Sequence, residues 1–204
     1  MTMKHKLFLS SFLLCAFLLI FSMNSFANEA PKKIAIVPTV SQTGANYPDI
    51  EAYCDHELYQ SLRIPLNGVL HRHEYLAKDK ILTALPEILQ PEKLHKFTPS
   101  KLKDVADELG ADLIVGFVIN DLGETRQFNW HGKVILYSYI TLELIGYDHQ
   151  KDTFIHYRQH EYFHEEESAS GHVLNLAKTA TDKLLKKAAF GKDIFPLSSS
   201  EQTK

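Results

Sequence analysis

Cysteine is nearly absent from this 204-residue chain, at Cys15 and Cys54 only, so no disulfide framework can carry its stability. Glycine is sparse as well, nine in all, and none falls in a G-x-G-x-x-G or G-x-x-x-x-G-K-[ST] pattern. The loop Ser41-Gln42-Thr43-Gly44 therefore reads as an ordinary connection rather than a phosphate cradle. A G-x-S-x-G elbow is missing, and His160-Glu161 lacks the second histidine that an H-E-x-x-H metalloprotease helix needs. Charge of one sign is lacking too: 22 basic against 25 acidic residues give a formal charge of −3. With no basic stripe there is no electrostatic footprint for nucleic acid. Beyond residue 23 no long apolar run occurs, and no internal repeat recurs at a fixed period.

What is present begins at the N-terminus. Lys4 and Lys6 lead into an apolar run from Leu7 to Met23, followed by Ser25-Phe26-Ala27. A charged start, an apolar centre and a small-x-small site are the layout of a secretory signal, with cleavage expected between Ala27 and Asn28. Two rival readings are a retained anchor and a lipidated Cys15. Against the first, a span wants roughly 20 apolar residues, and this run is shorter and broken by Ser10, Ser11 and Ser22. Against the second, Leu13 and Leu14 stand before Cys15 where small residues belong. The address is extracytoplasmic, secreted or periplasmic, with membrane contact only through this segment if it is uncleaved. Residues 28–190 then form a single domain and 191–204 a flexible polar tail.

Along that domain, Lys33 to Thr39 reads as a buried strand stopped by Pro38, and Pro48 to about Arg63 as an amphipathic helix. Ile50, Cys54, Leu58 and Leu62 are spaced four apart on that helix, which makes Cys54 core filler rather than a reactive thiol. Gly68 to Arg72 is a second strand, His73 to Leu89 a helix broken near Pro86, and Pro91 to Pro99 a connection. Ser100 opens a helix closed by Gly110, and Leu113 to Ile119 is a strand buried on both faces. Asp121 to His131 reads as a polar turn region, and Lys133 to Tyr147 and Thr153 to His164 as a hairpin. A last helix, Gly171 to Ala189, is expected to take Ser170 as its cap and to turn Val173, Leu174, Ala177, Ala180, Thr181, Leu184 and Leu185 inward. The order β-α-β-α-α-β-β-β-α implies an α/β (α+β) fold: a single mixed sheet of about five strands with helices against it, ending in an antiparallel meander.

Three features invite a function. His156, His160 and His164 are four apart, but on a strand neighbouring members lie about 13 Å apart, too far to share a zinc at bonds of about 2.0–2.1 Å. They read as a solvated strand face. His71 and His73 project together from a strand and are weak candidates for a metal pair awaiting a third ligand. Arg126, Phe128 and Trp130 form a segment of the residue types favoured at protein-binding hot spots. The competing reading folds Trp130, the sole tryptophan, onto the core, and is slightly favoured. No cofactor motif is found, and no catalytic residue is assigned.

The strand Lys33-Ile34-Ala35-Ile36-Val37-Pro38, the segment Val69-Leu70-His71-Arg72-His73-Glu74-Tyr75-Leu76 and the turn Leu109-Gly110-Ala111-Asp112-Leu113-Ile114-Val115-Gly116 are similar to the CsgG-like, LpoB-like and TolB N-terminal-like bacterial envelope proteins. The resemblance covers roughly residues 33–187. It implies an anticodon-binding-domain-like sandwich, a non-enzymatic role at a bacterial envelope, and either an envelope protein partner or self-association. A ring-forming assembly subunit is a further expectation of that likeness. The chain departs from the group in having neither a well-formed lipobox nor an inserted pore-forming hairpin. The two long C-terminal strands offer an extended surface whose edge can accept a partner strand.

Overall fold

The computed structural model describes residues 32–44, 47–62, 73–86 and 99–190. The signal segment with Cys15 and the Ala27/Asn28 junction, the strand expected over 68–72 with His71, the connection over 91–98 and the tail 191–204 lie outside the described residues.

Among the described residues five strands form one mixed sheet in the order β2-β1-β3-β4-β5. Strands β1 (Lys32–Ser41), β2 (His73–Tyr75) and β3 (Leu113–Phe128) run parallel to one another. Strands β4 (Val134–Asp148) and β5 (Thr153–Glu166) complete an antiparallel meander with β3. Helices α1 (Pro48–Leu62) and α4 (Val173–Ala188) cover one face, and α2 (Lys78–Ala84) and α3 (Pro99–Leu109) pack on the other. This is the open mixed sheet with flanking helices that the pattern implies. No described helix is long and apolar enough to cross a membrane.

The two faces make two cores. On the first, Ile50, Cys54, Leu58 and Leu62 of α1 and Leu176, Ala177, Ala180 and Leu184 of α4 bury against Leu113, Val115, Phe117 and Ile119 of β3 and Leu142 and Leu144 of β4. On the second, Ile81, Leu85, Leu102, Val105 and Ala106 meet Ala35, Val37, Ile114 and Tyr147. A central strand covered on both sides must be apolar on both, which is why Leu113–Ile119 reads as a continuous run. Gly110, at φ +61°, closes α3 in the left-handed conformation that glycine adopts without a Cβ penalty.

Several local expectations give way. Pro38 does not stop β1; the register with β3 shifts between Val37 and Val40, and the strand continues to Ser41. A proline cannot donate to the ladder, and Asp55 of α1 takes over the next amide, accepting from Thr39 N at 2.8 Å and Thr39 Oγ1 at 2.6 Å. His73 to Tyr75 is strand, not helix, because it pairs with Lys32 to Ile34. The helix that follows is only Lys78–Ala84, since a residue before proline disfavours helical backbone and Leu85 precedes Pro86.

The largest departure is at 121–128, where a polar turn is expected and β3 instead continues to Phe128. The cause is a bulge. Ile119 pairs with Leu142 and Asp121 with Thr141, leaving Asn120 as an extra residue. One inserted residue exchanges the faces of everything beyond it. Leu122, Glu124, Arg126 and Phe128 therefore turn to the α4 side, whereas odd-numbered residues hold that side before the bulge.

Candidate functional site

The paired ends of β3 and β4, flanked by β5 as far as Ile135 and Glu166, project past the start of α4 as a ribbon. Its turn is organised by Asn129. The Asn129 side-chain oxygen accepts from the amides of His131 and Lys133, each at 3.0 Å, and its carbonyl accepts from Gly132 at 2.9 Å. Gly132 sits at φ +76°, a value that favours glycine. Trp130 and His131 occupy the apex with their rings in contact, centroids 3.3 Å apart. Trp130 is 89% exposed and Phe128 78%, so the reading that folds Trp130 onto the core is corrected. The ribbon carries it past the end of α4, where no core remains to receive it.

Arg126 lies below these aromatics, in a cluster of charges that fixes the ribbon to the body. Its Nε donates to Glu167 at 2.8 Å, and its guanidinium lies 3.2 Å from Glu124. Glu124 in turn accepts from the Val173 amide at 2.9 Å and lies 3.2 Å from His172 Nδ1. His172 Nε2 is 3.8 Å from Glu167, and Lys133 donates to Glu166 at 2.7 Å. Partial burial works to raise the Glu124 pKa, but the Val173 amide, His172 and Arg126 outweigh it and hold the carboxyl below the usual range. Ion pairing with Glu167 raises the Arg126 pKa. Ser138 donates to the Gly171 carbonyl just beneath. From Glu124 to Phe128 is four strand residues, about 13 Å; the apolar tip stands that far beyond its clamp.

This clamp also replaces the expected helix cap. Ala169–Gly171 forms a short 3₁₀ turn after Ser168, and α4 begins at Val173 with His172 as a cap residue whose side chain makes no capping bond. The free amide of the first turn goes to Glu124, 49 residues away in sequence. On α4 itself, Ala177, Ala180, Thr181 and Leu184 are buried as expected, together with Leu176, which the periodicity missed.

The other candidates are dispersed. His73 Nδ1 lies 3.2 Å from the Leu62 carbonyl; its expected companion His71 lies outside the described residues. Among the described residues no three metal-ligating side chains converge. His156, His160 and His164 line one exposed face of β5, where His156 meets Glu143 at 3.3 Å, His160 meets Thr141 at 3.0 Å and His164 packs edge-on against Tyr137. Cys54 is fully buried beside Thr181, and burial pushes its thiol up to about 12, as befits core filler. A shallow hollow of about 250 Å³ opens between Ile36, Tyr59, Tyr75 and Leu76. Its carboxylate, Asp55, is already committed to Thr39.

No protein-family model matches the chain, and no curated protein sequence matches it. Solved structures do. A hypothetical protein from Chlamydia trachomatis aligns over 78% of this chain and 96% of its own at 12% identity, with a TM-score of 0.47. Lipoprotein GNA1162 from Neisseria meningitidis aligns over 78% and 99% at 12% identity, TM-score 0.39. The C-terminal domain of LpoB from Escherichia coli aligns over 69% and 87% at 14% identity, TM-score 0.34. LpoB is thus among the solved structures to which this chain is similar, while no family model or curated sequence supports CsgG-like or TolB-like membership.

Proposed function

We propose that this chain is an extracytoplasmic, envelope-associated binding protein, without catalysis of its own, that presents the β3–β4 ribbon to a protein partner. Segment 1–27 serves as its export address and residues 28–190 as its single domain. Trp130 and Phe128 are the anchors, and Arg126 sets their height and orientation through Glu124 and Glu167. One observation carries the reading: two large aromatic side chains are held in solvent on a ribbon braced at its base. Exposed aromatics on a preorganised support are the groups that dominate binding energy when they enter a partner's pocket.

The test is a photo-crosslinking residue in place of Trp130, in the full chain expressed in its own cell envelope. One discrete envelope protein should be captured. Trp130→Ala should then weaken binding of that purified protein by roughly thirty-fold, the effect of a hot-spot residue. Unchanged affinity in Trp130→Ala, with the fold intact, would end this reading.

A further inference from the structure

We infer that two copies of this chain join along β5, antiparallel about a two-fold axis through Tyr162, to make one continuous sheet. Among the described residues β5 is a 14-residue edge strand that pairs with β4 on one side only. A row of open N–H and C=O groups of that length is a template for another strand. In an antiparallel ladder the amide and carbonyl of one residue point to the same side. The His160 carbonyl accepts from the Gln159 side chain at 3.3 Å, which marks the even-numbered residues of β5 as the outward set.

Those residues are self-complementary about Tyr162. The two-fold places Arg158 opposite Glu166 of the second copy, His160 opposite its His164, and Tyr162 opposite its own counterpart. Opposite charges and aromatic pairs directly across strands are the stabilising combinations. Arg158 and Glu166 are both well exposed, and Tyr162 is 67% exposed. Each charged member already has one partner in its own chain, Glu143 for Arg158 at 3.6 Å and Lys133 for Glu166 at 2.7 Å. The pair across the axis would join these into one alternating network. On the opposite face Gln159 meets Glu165, and Glu161, held by Lys183 at 2.6 Å, meets Phe163. No like charges fall directly opposite. Moving the axis by two residues loses this match. An axis at His160 sets Arg158 against Tyr162 and Glu166 against Phe154; an axis at His164 carries Arg158 off the end of the strand.

α4 begins at Val173, whose amide bonds Glu124, and Glu124 stands level with Ser138 and Phe163 in the sheet. With the axis one residue away at Tyr162, the two α4 helices extend in opposite directions from it, so the join rests on the strand edges. The inference is separate from the ribbon-tip reading, since neither Trp130 nor Phe128 enters it.

The test is oxidative cross-linking of the full chain carrying Tyr162→Cys. Directly opposed, hydrogen-bonded residues have Cα atoms about 5.5 Å apart, inside the usual disulfide range. Most of that variant should run as a disulfide-linked dimer under non-reducing conditions, and the parent chain should not. Arg158→Cys should stay monomeric, because its own counterpart lies about 26 Å away along the strand. In sedimentation velocity, Arg158→Glu should weaken the dimer at least ten-fold and Arg158→Glu with Glu166→Arg should restore it. Trp130→Ala should leave the dimer unchanged, so failure here and failure of the ribbon-tip reading are distinguishable. A Tyr162→Cys variant that stays monomeric, equal linking at Arg158, or no rescue by the charge swap would overturn the inference.

Discussion

Removing the Glu124 carboxylate tests how a ribbon and a distant helix are fastened together. Glu124→Ala deletes the acceptor for the Val173 amide at 2.9 Å and the partner of both His172 and Arg126. Losing an N-terminal helix cap costs about 0.5–2 kcal/mol, and losing a hydrogen bond to a charged group costs about 1.5–3 kcal/mol. Because Glu124 is only partly buried, solvent weakens each contribution, and the two overlap; about 2 kcal/mol is the expected total at neutral pH. For a domain of this size that is a fall in Tm of about 4–8 °C. The pH dependence has a definite sign. The folded-state pKa of Glu124 lies below its ordinary 4.5, so its contribution is fully present above that value and is lost as pH falls through the lowered folded value. Thermal unfolding followed by circular dichroism at pH 7, and then at steps below pH 4.5, measures both effects. A Tm within 1 °C of the parent at pH 7, or a gap that does not narrow in acid, would refute the assignment of Glu124 as the cap of α4.

Other outcomes follow from the same coordinates. Leu184→Ala, fully buried between helix and sheet, should cost about 2–5 kcal/mol in denaturant titration, whereas Trp130→Ala should change stability by no more than about 0.5 kcal/mol. Gly146→Ala would set a Cβ 2.5 Å from the Ile114 carbonyl oxygen; rigid backbone yields little there, and about 3 kcal/mol of destabilisation is expected. Cys54, with its thiol at about 12, should resist iodoacetamide at pH 8 in the native protein and react after unfolding, as peptide mass mapping would show.

The order of elements was legible because each apolar run matches one layer. Leu113–Ile119 is apolar throughout since helices lie on both sides, and Ile50, Cys54, Leu58 and Leu62 keep a helical interval since only one face of α1 is covered. What local reading missed depends on distant partners. Residues 121–128 are polar and break alternation at Asn120, so only their pairing with β4 shows them to be strand. His73 to Tyr75 is a strand because Lys32 to Ile34 lies beside it. Ser170 looked like a cap by position, but the acceptor comes from Glu124 on β3. At the candidate site the residue types Arg126, Phe128 and Trp130 were visible in sequence. Their exposure was not, because it follows from how far the ribbon outruns α4.

The extra residue at Asn120 gives the ribbon a parity. Deleting Asn120 would leave Asp121 to follow Ile119 in a regular ladder with Glu124 still opposite Ser138, whereas inserting one residue between Asp121 and Glu124, with no second bulge to absorb it, would turn Glu124, Arg126 and Phe128 to the opposite side and empty the clamp in a single step. Matched insertions of two residues in each strand beyond Arg126 would leave the clamp intact and move the aromatic tip outward by about 6.6 Å. The reach of this protein can therefore change in even increments while its anchorage stays the same, and length variation among related ribbons should come in twos.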